Sequence, residues 1–580
     1  MNKVKLTRYI VQSLKDEGAS HVFMIPGGFV DNFLQDLTEV EGINAIVCAS
    51  EGGAAMMADG FARASGNFGV CMGISGPGAS NMLTGLSISC ADEVPVLAIT
   101  GDSPLRWRDR DSIQDSGTQG LKTIDLFKHI SAVQYQLYEA QLAGDYIRRS
   151  VSSLKSSSPG VAHLSVPLDV QTSELVYDYQ PLYSSLNSQA RIVDIGALDQ
   201  ALSLIASTVN VVLLIGAGVR KSNASSVIFE FSERFNIPVA TTMSAKGDFP
   251  ESHALSLGVF GWSGSGTANE TLMSDEVECL IVVGSKLGQI ATMCWSDDLR
   301  SNRILIQLDI NSSNMNQSYQ ADVAVISDAK AAFDYYLALP SENSNVDRLA
   351  GSVSTRKDWV ETCRAIRPRY YDTQDQESDV EPIHPARVIE ELCLSVPEDT
   401  QLFVDNGAHT FFAMHYWKST LSNHCFNIIK YSGAMGWAIP ASIGAKFCKP
   451  DKVTVAVVGD GCMLMHGIEI QTAARYRQQK IIFVVLNNKA HGNPKLRFSG
   501  ASDNADKLTD IVDHSWAGFA ESLGLNAFTV SESSNLSAVF ERALQLDTAV
   551  LIDVKCGLYP TPTKVFDETF MKEFNQYIEL

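Results

Sequence analysis

The chain has 580 residues, 45% of them hydrophobic and 19% charged, and carries a formal net charge of −21. That length exceeds what one hydrophobic core supports and calls for three or four domains. The acidic balance argues against nucleic acid or an anionic membrane as partner. The 11 Cys fall without a CxxC pair or a Cys/His cluster, which predicts reduced thiols and no zinc site. There is no signal-peptide h-region and no run of about 18 apolar residues, so a cytoplasmic location is expected.

In chain order, residues 1–18 have the spacing of an amphipathic helix. His21–Ile25 reads as a strand ending in Pro26-Gly27-Gly28, followed by a helix over Val30–Leu37. Ala45–Cys48 is a second strand, and it leads directly to Glu51 and the helix GGAAMMADGFARASG. Gly69–Ile74 and Pro95–Thr100 are further strands, the first closed by Ser75-Gly76-Pro77-Gly78. This strand–helix alternation predicts a doubly wound parallel sheet. Tyr183–Asp194 is a polar linker. Alternation then resumes with helix Leu198–Ser207 and strands Val211–Ile215, Pro238–Thr241, Cys279–Val283 and Ile304–Asp309. Gly216-Ala217-Gly218 is a weak nucleotide signal and is read as a structural turn. From Leu339 to His384 the chain is polar, an interdomain connection with one short helix near Trp359–Ile366. A third set of elements opens with helix Pro385–Leu394 and strand Gln401–Val404. It ends with helices over Asp513–Leu523 and Leu536–Leu546, and Asp567–Leu580 reads as a terminal helix that could act as a lid.

The most informative stretch is Gly459–Gly492. It follows an apolar run, Val453–Val458, that reads as a buried parallel strand. In Gly459-Asp460-Gly461-Cys462 the glycines let the backbone approach a phosphate, and Asp460 supplies a hard oxygen ligand. Ile468–Tyr476 has helical spacing, and Ile481–Leu486 is a second buried strand ending on Asn487-Asn488. The unit therefore brings Asp460 and an Asn to the carboxyl ends of two strands, where open α/β sheets bind ligands. One carboxylate, one amide oxygen and a backbone carbonyl leave room for two phosphate oxygens and a water, the usual way of holding Mg²⁺.

This stretch resembles the thiamine-diphosphate motif of the acetohydroxyacid synthase, pyruvate oxidase and pyruvate decarboxylase superfamily. The resemblance implies thiamine diphosphate and Mg²⁺ as cofactors, with Asp460, Asn488 and the carbonyl of Ala490 on the metal; Asn487 remains open as a substitute for Asn488. SEGGAAMMADGFARASG and SGPGASN resemble the pyrimidine-binding domain of the same superfamily. That makes Glu51 the residue that hydrogen-bonds the cofactor's pyrimidine ring and activates it. TQGLKTIDLF is similar to a substrate-facing stretch and offers Gln119 as a catalytic candidate, with Thr118 and Gly120 departing from the family's Phe and Glu. Asp405-Asn406-Gly407-Ala408-His409 matches a loop that wraps the diphosphate, which nominates Gly407, Ala408 and His409. YSGAMGWAIPASIGA matches a segment that grips the aminopyrimidine and bends the cofactor, which nominates Gly433 and Met435. Gly459, Gly461 and Cys462 complete the cofactor-binding set.

The implied fold is three doubly wound parallel-sheet α/β domains: pyrimidine-binding (1–185), central (190–345) and diphosphate-binding (380–565), with a tail at 566–580. GVFGWSGSGTAN (258–269) resembles a flavin-contacting loop, whereas Lys286–Thr292 departs from the synthase pattern, which leaves FAD open as a second cofactor. In this superfamily one active site takes residues from two chains, so a homodimer or homotetramer is expected. No His pair is present, and Pro494 stands where decarboxylases carry a Glu. The reading is therefore decarboxylation of a pyruvate-like 2-oxo acid with transfer of the acyl unit to a second carbonyl compound, as in acetolactate synthase. A flavin-dependent oxidase, a simple decarboxylase and a non-catalytic regulatory relative are the rivals.

Overall fold

The computed structural model describes residues 3–182, 192–420, 425–498 and 503–562. Most of the 183–194 linker and the 566–580 tail thus lie outside the described residues. Three sheets of six parallel strands organise the chain. Their strands are short β-rich runs buried on both faces, such as Val211–Ile215 and Ile481–Asn487, as parallel sheets covered by helices require.

The first sheet runs in the order Asn44–Val47, His21–Met24, Gly69–Ile74, Val96–Asp102, Val161–Pro167, Ser131–Gln136. The third repeats that order with Phe426–Ile428, Gln401–Val404, Thr454–Gly459, Ile481–Asn487, Val550–Lys555 and Asn526–Val530. The central sheet is wound differently: Ser256–Phe260, Val239–Thr242, Val211–Ile215, Cys279–Val283, Ile304–Asp309, Val323–Ile326.

Two regions depart from the sequence reading. The first helix begins at Leu6, because Lys3–Lys5 is a strand paired antiparallel to Glu174–Val176. The stretch read as a connection with one short helix contains two helices, Ser344–Gly351 and Val353–Ile366. Val346, Leu349 and Val360 bury against the central core, and the buried Arg356 donates to the carbonyls of Phe235 and Leu349. About one buried residue per turn sufficed to dock both helices despite their polar composition.

The first and third domains meet along two helices, Glu51–Ser65 and Ala438–Cys448, at backbone-contact distance. A Cβ on Gly60 would lie 2.0 Å from the carbonyl oxygen of Ala441, and one on Gly444 would lie 2.0 Å from that of Met57. All 11 cysteines are free. Among the described residues no helix is long and apolar enough to cross a membrane.

Candidate active site

The strands of the third sheet end along one edge, and each presents a polar residue there. Thr454–Gly459 pairs with Gln401–Val404 on one side and Ile481–Asn487 on the other. Asp405, Asp460 and the Asn487-Asn488 pair therefore follow neighbouring strands. Asp460 opens a helix, Asp460–His466, that has no side-chain N-cap. Its Oδ1 accepts the Gly461 N–H at 2.9 Å, while Oδ2 is buried with no hydrogen-bond partner. Burial lifts this carboxyl to about 6 against the opposing pull of the Gly461, Lys489 and Ala490 amides.

The two asparagines have separate tasks. Asn487 is buried and its Nδ2 donates to Asp553 Oδ1 at 3.0 Å and to the His514 carbonyl at 3.3 Å. Asn488 lines the cavity beside Asp460, with its Oδ1 accepting the Ala490 N–H at 3.1 Å. Asn487 is thus tied into the sheet, and Asn488 is the one beside the carboxylate.

A cavity of about 250 Å³ lies at this edge. It brings together every third-domain residue nominated above except the substitute Asn487: Gly407, Ala408, His409, Gly433, Met435, Gly459, Asp460, Gly461, Cys462, Asn488 and Ala490. His409 is buried, which depresses its ring to about 4, and its Nε2 has no hydrogen-bond partner. A Cβ on Gly407 would come within 2.6 Å of that ring, so glycine there lets the imidazole lie against the backbone. Met435 and His491 face each other across Gly461, 3.0 and 3.1 Å from where a Cβ would stand. Gly433 has φ +67°, the left-handed region that suits glycine.

An orphaned carboxylate oxygen and an orphaned imidazole nitrogen in one wall are costly unless a ligand meets them. They suit a divalent cation and a diphosphate. Among the described residues no cluster of three or more His, Cys, Asp or Glu could hold a metal alone, so a cation here would depend on ligand oxygens as well.

Asp405 was not singled out from the sequence. It is fully buried, and its two oxygens accept the N–H groups of Asn406 (2.8 Å), Gly436 (2.9 Å) and Ala438 (2.8 Å). Burial raises its carboxyl to about 6 in spite of these three amides. It fastens the segment carrying Gly433 and Met435 to the end of strand Gln401–Val404. An acid directly after a buried strand was the available signal.

Glu51 and Gln119 lie outside the lining of this chain's cavity. Glu51 starts the helix Glu51–Ser65, capped by Ser50 Oγ, which accepts the Gly53 N–H at 2.9 Å. Its Oε2 accepts from Asn81 Nδ2 at 3.1 Å. The third domain reaches this turn through Glu469, whose carboxylate accepts from Ser50 Oγ (2.8 Å) and the Ala49 N–H (3.0 Å). A Cβ on Gly53 would fall 1.8 Å from Glu469 Oε1, which explains the glycine. Glu469 was also not predicted; its partners lie some 420 residues away. Gln119 is exposed on the loop after strand Val96–Asp102, with its N–H bonded to Asp109 Oδ1 at 2.6 Å.

Known proteins match this arrangement along most of the chain. Models of thiamine pyrophosphate enzymes match in three blocks: the N-terminal TPP binding domain at residues 4–121, the central domain at 198–335 and the C-terminal TPP binding domain at 405–554. The acetolactate synthase large subunit of Corynebacterium glutamicum is 30% identical over 562 residues, covering 94% of this chain and 86% of its own length. A probable acetolactate synthase large subunit of Methanococcus aeolicus is 28% identical over 576 residues, 94% of this chain and 90% of the relative. Glyoxylate carboligase of Escherichia coli O157:H7 is 26% identical over 572 residues, 94% and 91% of the two chains. Fold and matched domains define a thiamine-diphosphate-dependent enzyme. The chain belongs to the thiamine pyrophosphate enzyme family, among its acetolactate synthase-like members.

Proposed function

We propose that this enzyme decarboxylates a small 2-oxo acid, pyruvate being the first candidate, and joins the acyl unit to a second carbonyl compound. When bound, thiamine diphosphate supplies the carbon nucleophile and the electron sink for loss of CO₂. Asp460, Asn488 and the Ala490 carbonyl would hold Mg²⁺, and the orphaned Asp460 Oδ2 is the observation in favour. Gly407, Ala408 and His409 would meet the diphosphate, Gly433 and Met435 the pyrimidine side. Glu51 would activate the cofactor by sharing a proton with its ring.

The observation that carries the reaction outcome is the chemistry of the cavity wall. Among the described lining residues the one carboxylate is Asp460, which the metal would engage, and Pro494 supplies no acid. With no second carboxylate of this chain in the described lining to deliver a proton, a carbonyl acceptor competes for the acyl unit. A relative barrier of about 1.4 kcal/mol is a tenfold change in that partition. Of the polar candidates for facing the acceptor, Gln119, His466 and His491, it is His491 that lines the cavity. Incubation with pyruvate, with and without added aldehydes or ketones, followed by product mass, tests the reading. Free acetaldehyde as the sole product would overturn it.

The functional unit we propose is a homodimer in which Glu51 of one copy serves the cavity of the other. Exposed apolar side chains support it: Leu464, Met465 and Ile468 just after Asp460, and Trp107, Ile113 and Leu121 along one loop region of the first domain. Surfaces of this kind mark association sites. An active monomer in sedimentation velocity would contradict this arrangement.

A further inference from the structure

The central sheet has the strand order that places a dinucleotide at its switch point, between the strand wound to one side and the strand wound to the other. Here that point lies between Val211–Ile215 and Cys279–Val283, and the turns that follow them are Gly216–Gly218 and Gly284-Ser285. In a nucleotide site of this kind the turn amides point at phosphate. In this chain they are spent on the neighbouring turn: the Gly216 N–H donates to the Val283 carbonyl at 2.8 Å and the Gly218 N–H to the Gly284 carbonyl at 2.9 Å. The two turns touch. A Cβ on Gly216 would stand 2.4 Å from the Gly284 oxygen, and one on Gly218 would stand 2.7 Å from the Gly284 Cα.

The cations at the mouth are spent as well. Lys221 and Lys286 both reach Glu93 of the first domain, at 2.6 and 2.7 Å. Glu93 caps the helix Pro77–Asp92 with φ +55°, so its backbone is committed to that position. Burial pushes its carboxyl upward, but the two ammonium groups overcome this and bring it down to about 2.

The second element a flavin would need is the loop 258–269, and both of its sides are covered by protein. A Cβ on Gly261 would lie 2.4 Å from the Ile290 oxygen and one on Gly266 would lie 2.3 Å from the Pro368 oxygen. The buried His415 ring stands with Nδ1 3.3 and 3.1 Å from the carbonyls of Ser263 and Gly264.

We infer that the central domain of this enzyme takes no flavin nucleotide: the turns spend their amides on each other, and Glu93 of the first domain occupies, as an internal counter-ion to Lys221 and Lys286, the place of a ligand phosphate. Glu93 is thereby a clamp between two domains. This inference does not depend on which carbonyl acceptor the enzyme uses.

The test uses holoenzyme saturated with thiamine diphosphate and Mg²⁺, so that the third domain's diphosphate site is filled. Heat release from purified wild type should give no flavin absorption band, and equilibrium dialysis should detect binding of neither FAD nor ADP. Stoichiometric flavin, or ADP binding to the wild type, would overturn the inference. Glu93→Ala frees both lysines and should bind ADP at least about tenfold more tightly than wild type. Glu93→Ala with Lys286→Ala should lose that gain. If Glu93→Ala folds, by its circular dichroism, and takes ADP no better than wild type, the assignment of Glu93 is wrong. Glu93→Gln, which keeps the shape but not the charge, gives the same reading should the alanine variant be unstable.

Discussion

The first and third sheets share one strand order, yet an acid at the carboxyl edge of each is finished in an opposite way. In the first sheet the acid at the end of Val96–Asp102 is saturated: Asp102 accepts from Arg108 (3.0 Å), Gln136 (3.1 Å) and Ser165 (2.8 Å). In the third sheet the acid after Thr454–Gly459 keeps one buried oxygen without a partner, and His409 beside it keeps a ring nitrogen. The same scaffold thus yields one acid that is met and one that is left open. The difference lies in whether the local sequence supplies Arg, Gln and Ser to meet the acid. An edge becomes a binding site by leaving polar groups unmet, at a cost in stability that a ligand offsets.

The contrast fails most visibly if Asp460 can be removed without consequence. Asp460→Ala should abolish metal-dependent cofactor binding, lowering affinity by more than about a hundredfold; wild-type affinity by calorimetry would refute it. Glu51→Gln should bind cofactor normally yet slow exchange of the thiazolium C2 hydrogen by about a hundredfold or more. NMR exchange rates decide this, and an unchanged rate removes Glu51 from cofactor activation. Asp102→Ala sharpens the comparison from the closed side. It should cost about 3 kcal/mol, because Arg108 is left without its buried partner, while cofactor affinity stays at the wild-type value. Denaturant titration and calorimetry on the same variant separate the two effects.

The smallest effect, taken per pH unit, concerns acid. The first sheet carries His163 as the third residue of Val161–Pro167, where the matching strand of the third sheet has Ile552. His163 is buried, stacked on Phe127 with centroids 3.9 Å apart, and bonded to Thr100 Oγ1 at 2.9 Å. Burial lowers its value to about 3, below the 6.5 of the unfolded chain. Its neutral form therefore contributes stability that is complete above pH 6.5 and is lost as pH falls from 6.5 towards 3. The slope is about 1.4 kcal/mol per pH unit. His163→Gln should be less sensitive to acid than wild type by that slope, measured by denaturant midpoints at two pH values below 6.5.

The candidate site's edge could be read in the sequence because its groups are local. Asp460, Asn488 and the strands that carry them fit in one strand–helix–strand unit, and Cys279–Val283, Ile304–Asp309 and Gln401–Val404 have the bounds that apolar runs predict. What could not be read depends on contacts across the chain. Glu469 seats the helix that begins at Glu51 from another domain, and no periodicity encodes that. Asp405 looks like an ordinary turn acid until the amides of Gly436 and Ala438 are folded onto it. Asn487 and Asn488 are indistinguishable as letters; Asp553 separates them by claiming the first. The helix Ser344–Gly351 was missed, and Val353–Ile366 was read only over its last half, because polar composition outweighed a sparse apolar stripe.

The glycine-to-backbone contact between helices Glu51–Ser65 and Ala438–Cys448 also sets a timetable for synthesis. The first helix leaves the ribosome roughly 370 residues before its packing partner, which at about 5–20 residues per second is a delay of about 20–75 seconds. Throughout that interval Ala54, Met57, Ala58 and Phe61, all buried in the finished protein, have no third domain to cover them. The amino-terminal domain made alone should therefore be poorly soluble, and the full chain should depend on chaperone occupancy of this one helix during translation.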